Sequence, residues 1–325
     1  MFYRLLLIFM PASTPRSWFI LILLAVTAVS VSAQDLVLGT YNLRNDNAGD
    51  VQRGNGWKER VPFVAGLIRF HGFDVLGTQE ALYHQLEDVA RLVEGYAWVG
   101  VGRDDGARAG EFAAIFYRTE AVAVRASGTF WFSPTKTVPS KGWDSNYRRI
   151  CTWAKLEQRA TGFVFFVFNV HFDHKGHEAR RNSARMLLEE AKAIAGDAPV
   201  VLMGDFNSDQ KTEYYQTLAG AGWVKDAREL SPVRYEPNGT FNNFLPDAWT
   251  PARIDHIFLS RAFAVKRYGV LTDSYRARLP AESNAGGKDQ PDELNLERAV
   301  ARMPSDHFPV LVETTKAGGV GAPAR

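Results

Sequence analysis

The chain has 325 residues, 46 % of them hydrophobic, enough to bury one large α/β domain or two small ones. Its 38 Lys and Arg face 36 Asp and Glu, and setting aside Arg4 and Arg16 leaves 36 of each, which weighs against a duplex binder with its usual basic surplus. Cys151 is the only cysteine, so an internal disulfide is excluded, and its strand-like surroundings fit an inert core thiol.

Residues 1–33 carry Arg4 and Arg16, no acids, and an apolar run from Trp18 to Val31 before Ser32-Ala33; they read as a removable export signal, with Met1 or Met10 as the start. The run is about 14 residues, short of the roughly 20 that span a bilayer, so no stable membrane anchor is expected. The mature chain from Gln34 is expected in the periplasm or outside the cell, as a monomer.

Leu36 to Tyr41 predicts a first strand, and Trp57 to Phe70 an amphipathic helix with Val61, Val64, Leu67 and Ile68 on one face, stopped by Gly72. Phe73 to Thr78 is a buried-strand run, and Leu82, Leu86, Val89 and Val93 recur at helical spacing. From Ala97 the runs shorten: Trp98 to Val101, Phe112 to Tyr117, Ala121 to Phe132 and Ile150 to Leu156, separated by Gly, Pro and Asp clusters, predict antiparallel strands. Phe163 to Val170 is apolar on both faces. A helix from His177 to Ile194, a strand from Pro199 to Gly204, a helical stretch from Glu213 to Ala219, and strands at Ile254 to Ser260 and Pro309 to Glu313 follow. Arg276 to Pro291 is expected as a surface loop, and residues 316–325 as a frayed tail. The two halves share a rhythm; each predicts a mixed β-sheet, and packing the two face to face with helices outside gives a four-layer α/β sandwich over residues 34–315.

The polar residues that close these apolar runs point to chemistry. Asn42 ends the first strand, Glu80 follows Gln79, His171 ends Phe163 to Val170, and Gly204-Asp205-Phe206-Asn207 and Ser305-Asp306-His307 flank two further strands. Phosphoester hydrolysis needs a Lewis acid, a base that positions and deprotonates water, and stabilisation of the leaving group. Oxygen ligands from Glu80 and Asp306 suit Mg²⁺ or Mn²⁺, ions that keep most positions for water and substrate. Asp205 suits the base, with Asn207 two residues on facing the same target. His307 is a phosphoryl contact that needs a carboxylate partner, for which Asp255 is the natural candidate. His171 suits the electrophile or acid, oriented by Glu111.

This set, in this order, resembles the endonuclease/exonuclease/phosphatase superfamily, which includes deoxyribonuclease I, the abasic-site endonucleases and bacterial sphingomyelinases. The matching pieces are Tyr41-Asn42-Leu43-Arg44, Thr78-Gln79-Glu80, Asn169-Val170-His171, Gly204-Asp205-Phe206-Asn207, Arg253-Ile254-Asp255 and Ser305-Asp306-His307. The resemblance implies the four-layer sandwich, divalent-metal-dependent phosphoester cleavage, Glu80 as a metal ligand, Asp205 and Asn207 around the nucleophile, Asp255 supporting His307, and Asn42 as a phosphate or metal contact. Gly102-Arg103-Asp104-Asp105-Gly106, Gly128-Thr129-Phe130-Trp131 and His171-Phe172-Asp173-His174-Lys175-Gly176 resemble a bacterial branch of it that is often secreted.

Other positions stay open between structure and function. Asp173, His174 and His177 suit either a solvated loop at a helix start or substrate contacts. Arg149 suits a salt bridge or a second phosphate oxygen, and Thr240-Phe241-Asn242-Asn243-Phe244, which follows the turn signal Asn238-Gly239, suits a turn segment or a specificity loop. Phe130-Trp131-Phe132 reads as core. His171-Phe172-Asp173-His174 lacks the His-x-His-x-Asp-His spacing of a zinc hydrolase of the metallo-β-lactamase type, and no Gly-Asn-His segment supports a calcineurin-like site. A non-catalytic scaffold predicts losses at the metal or water positions, and none is found. The expected substrate is a small phosphoester or phosphosugar, with nucleic acid and phospholipid head groups as alternatives.

Overall fold

A computed structural model describes residues 35–279, 289–294 and 296–317. The expected signal segment lies outside these residues, as do residues 318–325 of the expected tail. In chain order the elements are β1 (Leu36–Asn42), α1 (Ala48–Gln52), α2 (Trp57–His71), β2 (Val75–Gln79), α3 (Tyr83–Leu92), β3 (Tyr96–Val99), β4 (Ile115–Arg118), β5 (Val122–Trp131), β6 (Ile150–Gln158) and β7 (Val164–His171). Then come α4 (His177–Ala195), β8 (Val200–Asp205), α5 (Glu213–Ala219), β9 (Val224–Asp226), α6 (Ala227–Leu230), β10 (Arg234–Tyr235), β11 (Asp255–Ser260), β12 (Phe263–Val270), β13 (Tyr275–Arg278), β14 (Ala299–Arg302) and β15 (Val310–Lys316). Among the described residues no helix is long and apolar enough to cross a membrane.

The strands form two large mixed sheets, ordered β10-β12-β15-β1-β2-β4-β3 and β5-β6-β7-β8-β11-β9, with β13 and β14 as a separate hairpin. Between the sheets lies an apolar layer that includes Leu38, Val75, Ile115, Phe165, Val167, Val201, Met203, Ile257 and Val312. On the outer face of the first sheet, Val64, Leu67 and Ile68 of α2 and Leu86 and Val89 of α3 cover Leu76 and Phe116. On the second, Leu187 and Ala191 of α4 and Leu218 of α5 cover Phe168 and Leu202. Each fully buried large apolar side chain contributes about 1.5–3 kcal/mol, so the four-layer order follows from strands that are apolar on both faces. Phe130, Trp131 and Phe132 are buried as core.

Three expectations need correction. The sheets do not divide by chain half, because β10, β12 and β15 return to the first sheet, where β15 pairs antiparallel with β1. Arg276 to Arg278 are not loop but β13, paired with β14. Lys316 still belongs to β15, and the Ala317 N–H donates to the Ala262 carbonyl at 2.8 Å, so the ordered chain runs past the expected start of the tail.

Polar side chains stitch the sheets together near one end. Gln79 Nε2 donates to Asn169 Oδ1 at 2.7 Å, and Asn169 Nδ2 donates to the carbonyls of Thr78 and Ala114, each at 2.9 Å. Gly77 permits this approach: a Cβ there would stand 2.5 Å from Asn169 Oδ1 and 2.8 Å from Met203 Sδ.

Candidate active site

Strand register assembles the site. Parallel pairing sets His171 of β7 beside Asp205 of β8, and antiparallel pairing sets Asp205 beside Asp255 of β11, so three polar side chains stand in a row at one end of the second sheet. In the first sheet Asn42 pairs with Gln79, which places Glu80 at the same end; Glu80 then turns the chain with φ 64°. Gly204, with φ 141°, precedes Asp205 where any Cβ would lie 2.1 Å from the Val170 carbonyl oxygen.

Asn42 joins the two sheets chemically. Its Nδ2 donates to Glu80 Oε1 and to Asp205 Oδ2, each at 3.0 Å, while its Oδ1 accepts the Arg44 N–H at 2.9 Å. The Oδ1 bond sets the amide orientation, so Asn42 presents its donors to Glu80 and Asp205. Arg60, fully buried, donates from Nη1 to the carbonyls of Leu43 and Pro304, each at 2.8 Å, and so ties the Asn42 loop to the segment carrying Ser305, Asp306 and His307.

His307 Nδ1 lies 2.9 Å from Asp255 Oδ2, and its Nε2 lies 3.9 Å from Asp205 Oδ2. Burial disfavours its charge, but Asp255, and after it Asp205 and Asp306, push the imidazole up to about 10, so it is an imidazolium at neutral pH. Burial and the Asp255 carboxylate raise Asp205, and burial together with Glu80 raises Asp306 against the pull of His307 and Arg44. Glu80 is held below the usual range: burial opposes this, but His307, the Asn42 amide and Arg44 prevail.

Across the cleft, Arg149 is a hub. Its Nη1 donates to His171 Nε2 at 2.9 Å, its Nη2 to His174 Nδ1 at 3.2 Å and its Nε to Asp173 Oδ2 at 3.3 Å. Because a guanidinium only donates, His171 must accept at Nε2 and carry its proton on Nδ1, which faces Glu111 Oε2 at 3.8 Å. Burial and then Arg149 hold His171 well below its ordinary pKa, so it is neutral. Burial and the nearby Glu80 raise Glu111, although Arg103 and Arg149 oppose them.

Glu80, Asp205 and His307 offer ligand atoms within 4.8 Å of one another. His307 Nδ1 is engaged by Asp255, and Glu80 and Asp205 supply the oxygen donors of this group. Arg44 Nη1 lies 3.8 Å from Glu80 Oε2 and 3.6 Å from Asp306 Oδ2, so these two acids share one approach. The raised Asp205 and Asp306 carboxyls show a cluster short of positive charge, and hard oxygen donors of this kind fit a divalent cation.

A cleft of about 420 Å³ opens over this floor, lined by Glu80, Glu111, Arg149, His171, His174, Asp205, Asn207, Asn243, Asp306 and His307. The model of the Endonuclease/Exonuclease/phosphatase family matches residues 39–307. The chain belongs to this family. Its members are phosphoester hydrolases. A family protein from Bacteroides thetaiotaomicron superposes with TM-score 0.80 and 46 % identity, covering 87 % of this chain and 98 % of that one. A mannosyl-6-phosphatase from B. thetaiotaomicron VPI-5482 superposes with TM-score 0.78 and 45 % identity, covering 86 % and 99 %. An uncharacterized protein of Acanthamoeba polyphaga mimivirus is 29 % identical over 164 residues, 48 % of this chain. The chain spans 60 % or less of the length of the curated relatives it matches.

Within this family frame the open positions separate. Only His174 of the Asp173, His174 and His177 group lines the cleft. Asp173 is buried, accepting from the N–H groups of Asn146, Lys175 and Gly176 as well as from Arg149, and His177 Nδ1 lies 2.6 Å from Tyr214 Oη. Arg44, Asn45, Arg103 and Tyr147 also line the cleft, and sequence reasoning gave them no role; Phe241, which lines it too, lies in the segment open between a turn and a specificity loop. Arg44 stands two residues after Asn42 in a quoted motif, which was a usable signal; Tyr147 carries none.

Proposed function

We propose that the protein is a divalent-metal-dependent hydrolase of phosphate monoesters, acting on a phosphosugar such as a hexose 6-phosphate. The observation that carries this reading is the convergence of Arg44, Arg103, Arg149 and the His307 imidazolium on a cleft of about 420 Å³. Glu80, Glu111, Asp205 and Asp306 line the same cleft, so the arginines, His307 and a bound divalent cation together would match a dianionic phosphate, in a space suited to one small molecule. The 45 % identity to a mannosyl-6-phosphatase over nearly its whole length supports the sugar.

Glu80 and Asp306, with Asp205 beside them, would hold Mg²⁺ or Mn²⁺. When bound, the ion supplies Lewis-acid polarisation of the phosphoryl oxygens. Asp205, with its raised carboxyl, orients and deprotonates water. The Asn207 N–H donates to Asp205 Oδ1 at 2.8 Å and keeps that carboxylate aimed. His307 donates from Nε2 to a phosphoryl oxygen, since Nδ1 is committed to Asp255. Neutral His171 stands at the opposite wall between Arg149 and Glu111, where it would contact the phosphoryl group or the leaving oxygen only by turning its Nδ1–H from Glu111, and Arg149 and Arg103 contribute charge there. Asn42 donates hydrogen bonds that align Glu80 and Asp205. The N-terminal signal motif supports export to the periplasm or beyond.

The test is a metal-supplemented screen of the purified protein against mannose 6-phosphate, bis-p-nitrophenyl phosphate, plasmid DNA and sphingomyelin. The expected result is EDTA-sensitive release of inorganic phosphate from mannose 6-phosphate as the dominant activity. Preferential cleavage of DNA or sphingomyelin, or activity that survives EDTA, overturns the proposal.

A further inference from the structure

We infer that Tyr147 and Phe241 are two aromatic platforms that seat the sugar ring of the substrate and set the preference for a cyclic phosphosugar over an acyclic phosphoester; this rests on the phosphosugar reading above. The cleft floor is a row: Arg149 Nη1 to His171 Nε2 at 2.9 Å, His171 Nε2 to Asp205 Oδ2 at 3.6 Å, and Asp205 Oδ2 to His307 Nε2 at 3.9 Å. One exposed ring stands at each end. Tyr147, 52 % exposed, lies under the guanidinium of Arg149 at 5.7 Å and that of Arg103 at 5.0 Å, and stacks on His174 with centroids 5.9 Å apart. Phe241, 38 % exposed, meets His307 edge to face at 5.1 Å.

The backbone that carries each ring is anchored. The Tyr147 N–H donates to Asp173 Oδ2 at 3.4 Å, and its carbonyl accepts from Ser145 Oγ. Phe241 bridges to His307, while the Asn242 N–H donates to the Asp306 carbonyl at 2.8 Å and the Phe308 N–H to the Thr240 carbonyl at 2.7 Å. Both rings keep exposed area on the cleft beyond these contacts. The other exposed large aromatics, Phe70, Trp143, Tyr235 and Trp249 among them, do not line this cleft.

The chemistry of the occupant follows. A phosphate engages the charged floor, and the group it carries must then lie between the rims. A pyranose presents apolar C–H faces to aromatic rings and hydroxyls to amides, and Asn45 and Asn243 line the same cleft. A flexible acyclic ester offers no such face.

The experiment compares wild type, Tyr147→Ala, Phe241→Ala and the conservative variants Tyr147→Phe and Phe241→Tyr on mannose 6-phosphate and glycerol phosphate, with Mg²⁺ present. The readout is the ratio of kcat/KM for the two substrates, which cancels any loosening of Arg149 or His307 that affects phosphate itself. The alanine variants are expected to lower that ratio about tenfold, chiefly through KM for the sugar, about 1.4 kcal/mol of ring contact. The conservative variants keep the ratio. Equal losses on both substrates, or an unchanged ratio in the alanine variants, overturn the platforms while leaving the hydrolase reading intact. Wild-type enzyme that turns over neither monoester overturns both.

Discussion

Replacing Arg253 by Met isolates a charge beneath the site. Arg253 is buried and donates from Nη1 to Asp226 Oδ2 at 3.0 Å; the same carboxylate group accepts from Tyr215 Oη at 2.8 Å and from the Arg228 N–H at 2.9 Å. Burial works against the Asp226 charge, but Arg253 and then His256 outweigh it and hold its pKa below the usual range. A depressed carboxylate pKa contributes stability that is fully present above the unfolded value of about 3.9 and is lost as pH falls through the folded value. In Arg253→Met the carboxylate is stranded. Breaking a buried pair costs about 3–5 kcal/mol, and the surviving Tyr215 and Arg228 bonds place this case near 3 kcal/mol. Desolvation then raises the Asp226 pKa above its unfolded value, so the linkage changes sign and the penalty shrinks as the carboxyl takes up a proton. Thermal melts of variant and wild type at about pH 7.5 and about pH 5 read both effects. The expected loss in Tm is about 6–12 °C at the higher pH, and clearly smaller at the lower. Equal losses at the two pH values, or none at the higher, refute the reasoning.

Asp205→Asn and His307→Ala should each lower metal-dependent kcat/KM by about 10² or more, with Tm measured alongside; full activity in either variant sinks the site assignment. Arg149→Lys should lose at least about tenfold in kcat/KM, because one ammonium cannot reproduce a fork shared by His171, His174 and Asp173; wild-type kinetics would show that the fork is dispensable. Mg²⁺ or Mn²⁺ should raise Tm over an EDTA-treated sample by relieving repulsion among Glu80, Asp205 and Asp306, and the rise should vanish in Glu80→Gln; calorimetry or a thermal shift assay checks it.

The core elements and the chemistry-bearing residues at their ends were legible because both leave local marks. Apolar runs from Leu36, Phe73, Phe163 and Pro199 could only be buried strands, and the polar residue closing each had to sit at a strand end. Weaker elements left no such mark. Strands β9, β10, β13 and β14 are short and carry exposed residues, and they exist through pairing with distant partners. Asp173 and His174 looked alike in sequence, yet one is buried under a loop and the other faces the cleft.

The sequence by itself determined the reaction class: which carboxylates, amides and imidazoles are available, and that each borders a strand. Tertiary structure decided how they are used. It aligned the Asn42 amide between Arg44, Glu80 and Asp205, made His307 cationic and His171 neutral through their different partners, and set Tyr147 and Phe241 beside them. Those outcomes depend on strand register and on burial among polar partners up to 263 residues apart in sequence, as in the bond from Ser305 Oγ to the Asn42 carbonyl, and no local pattern encodes them.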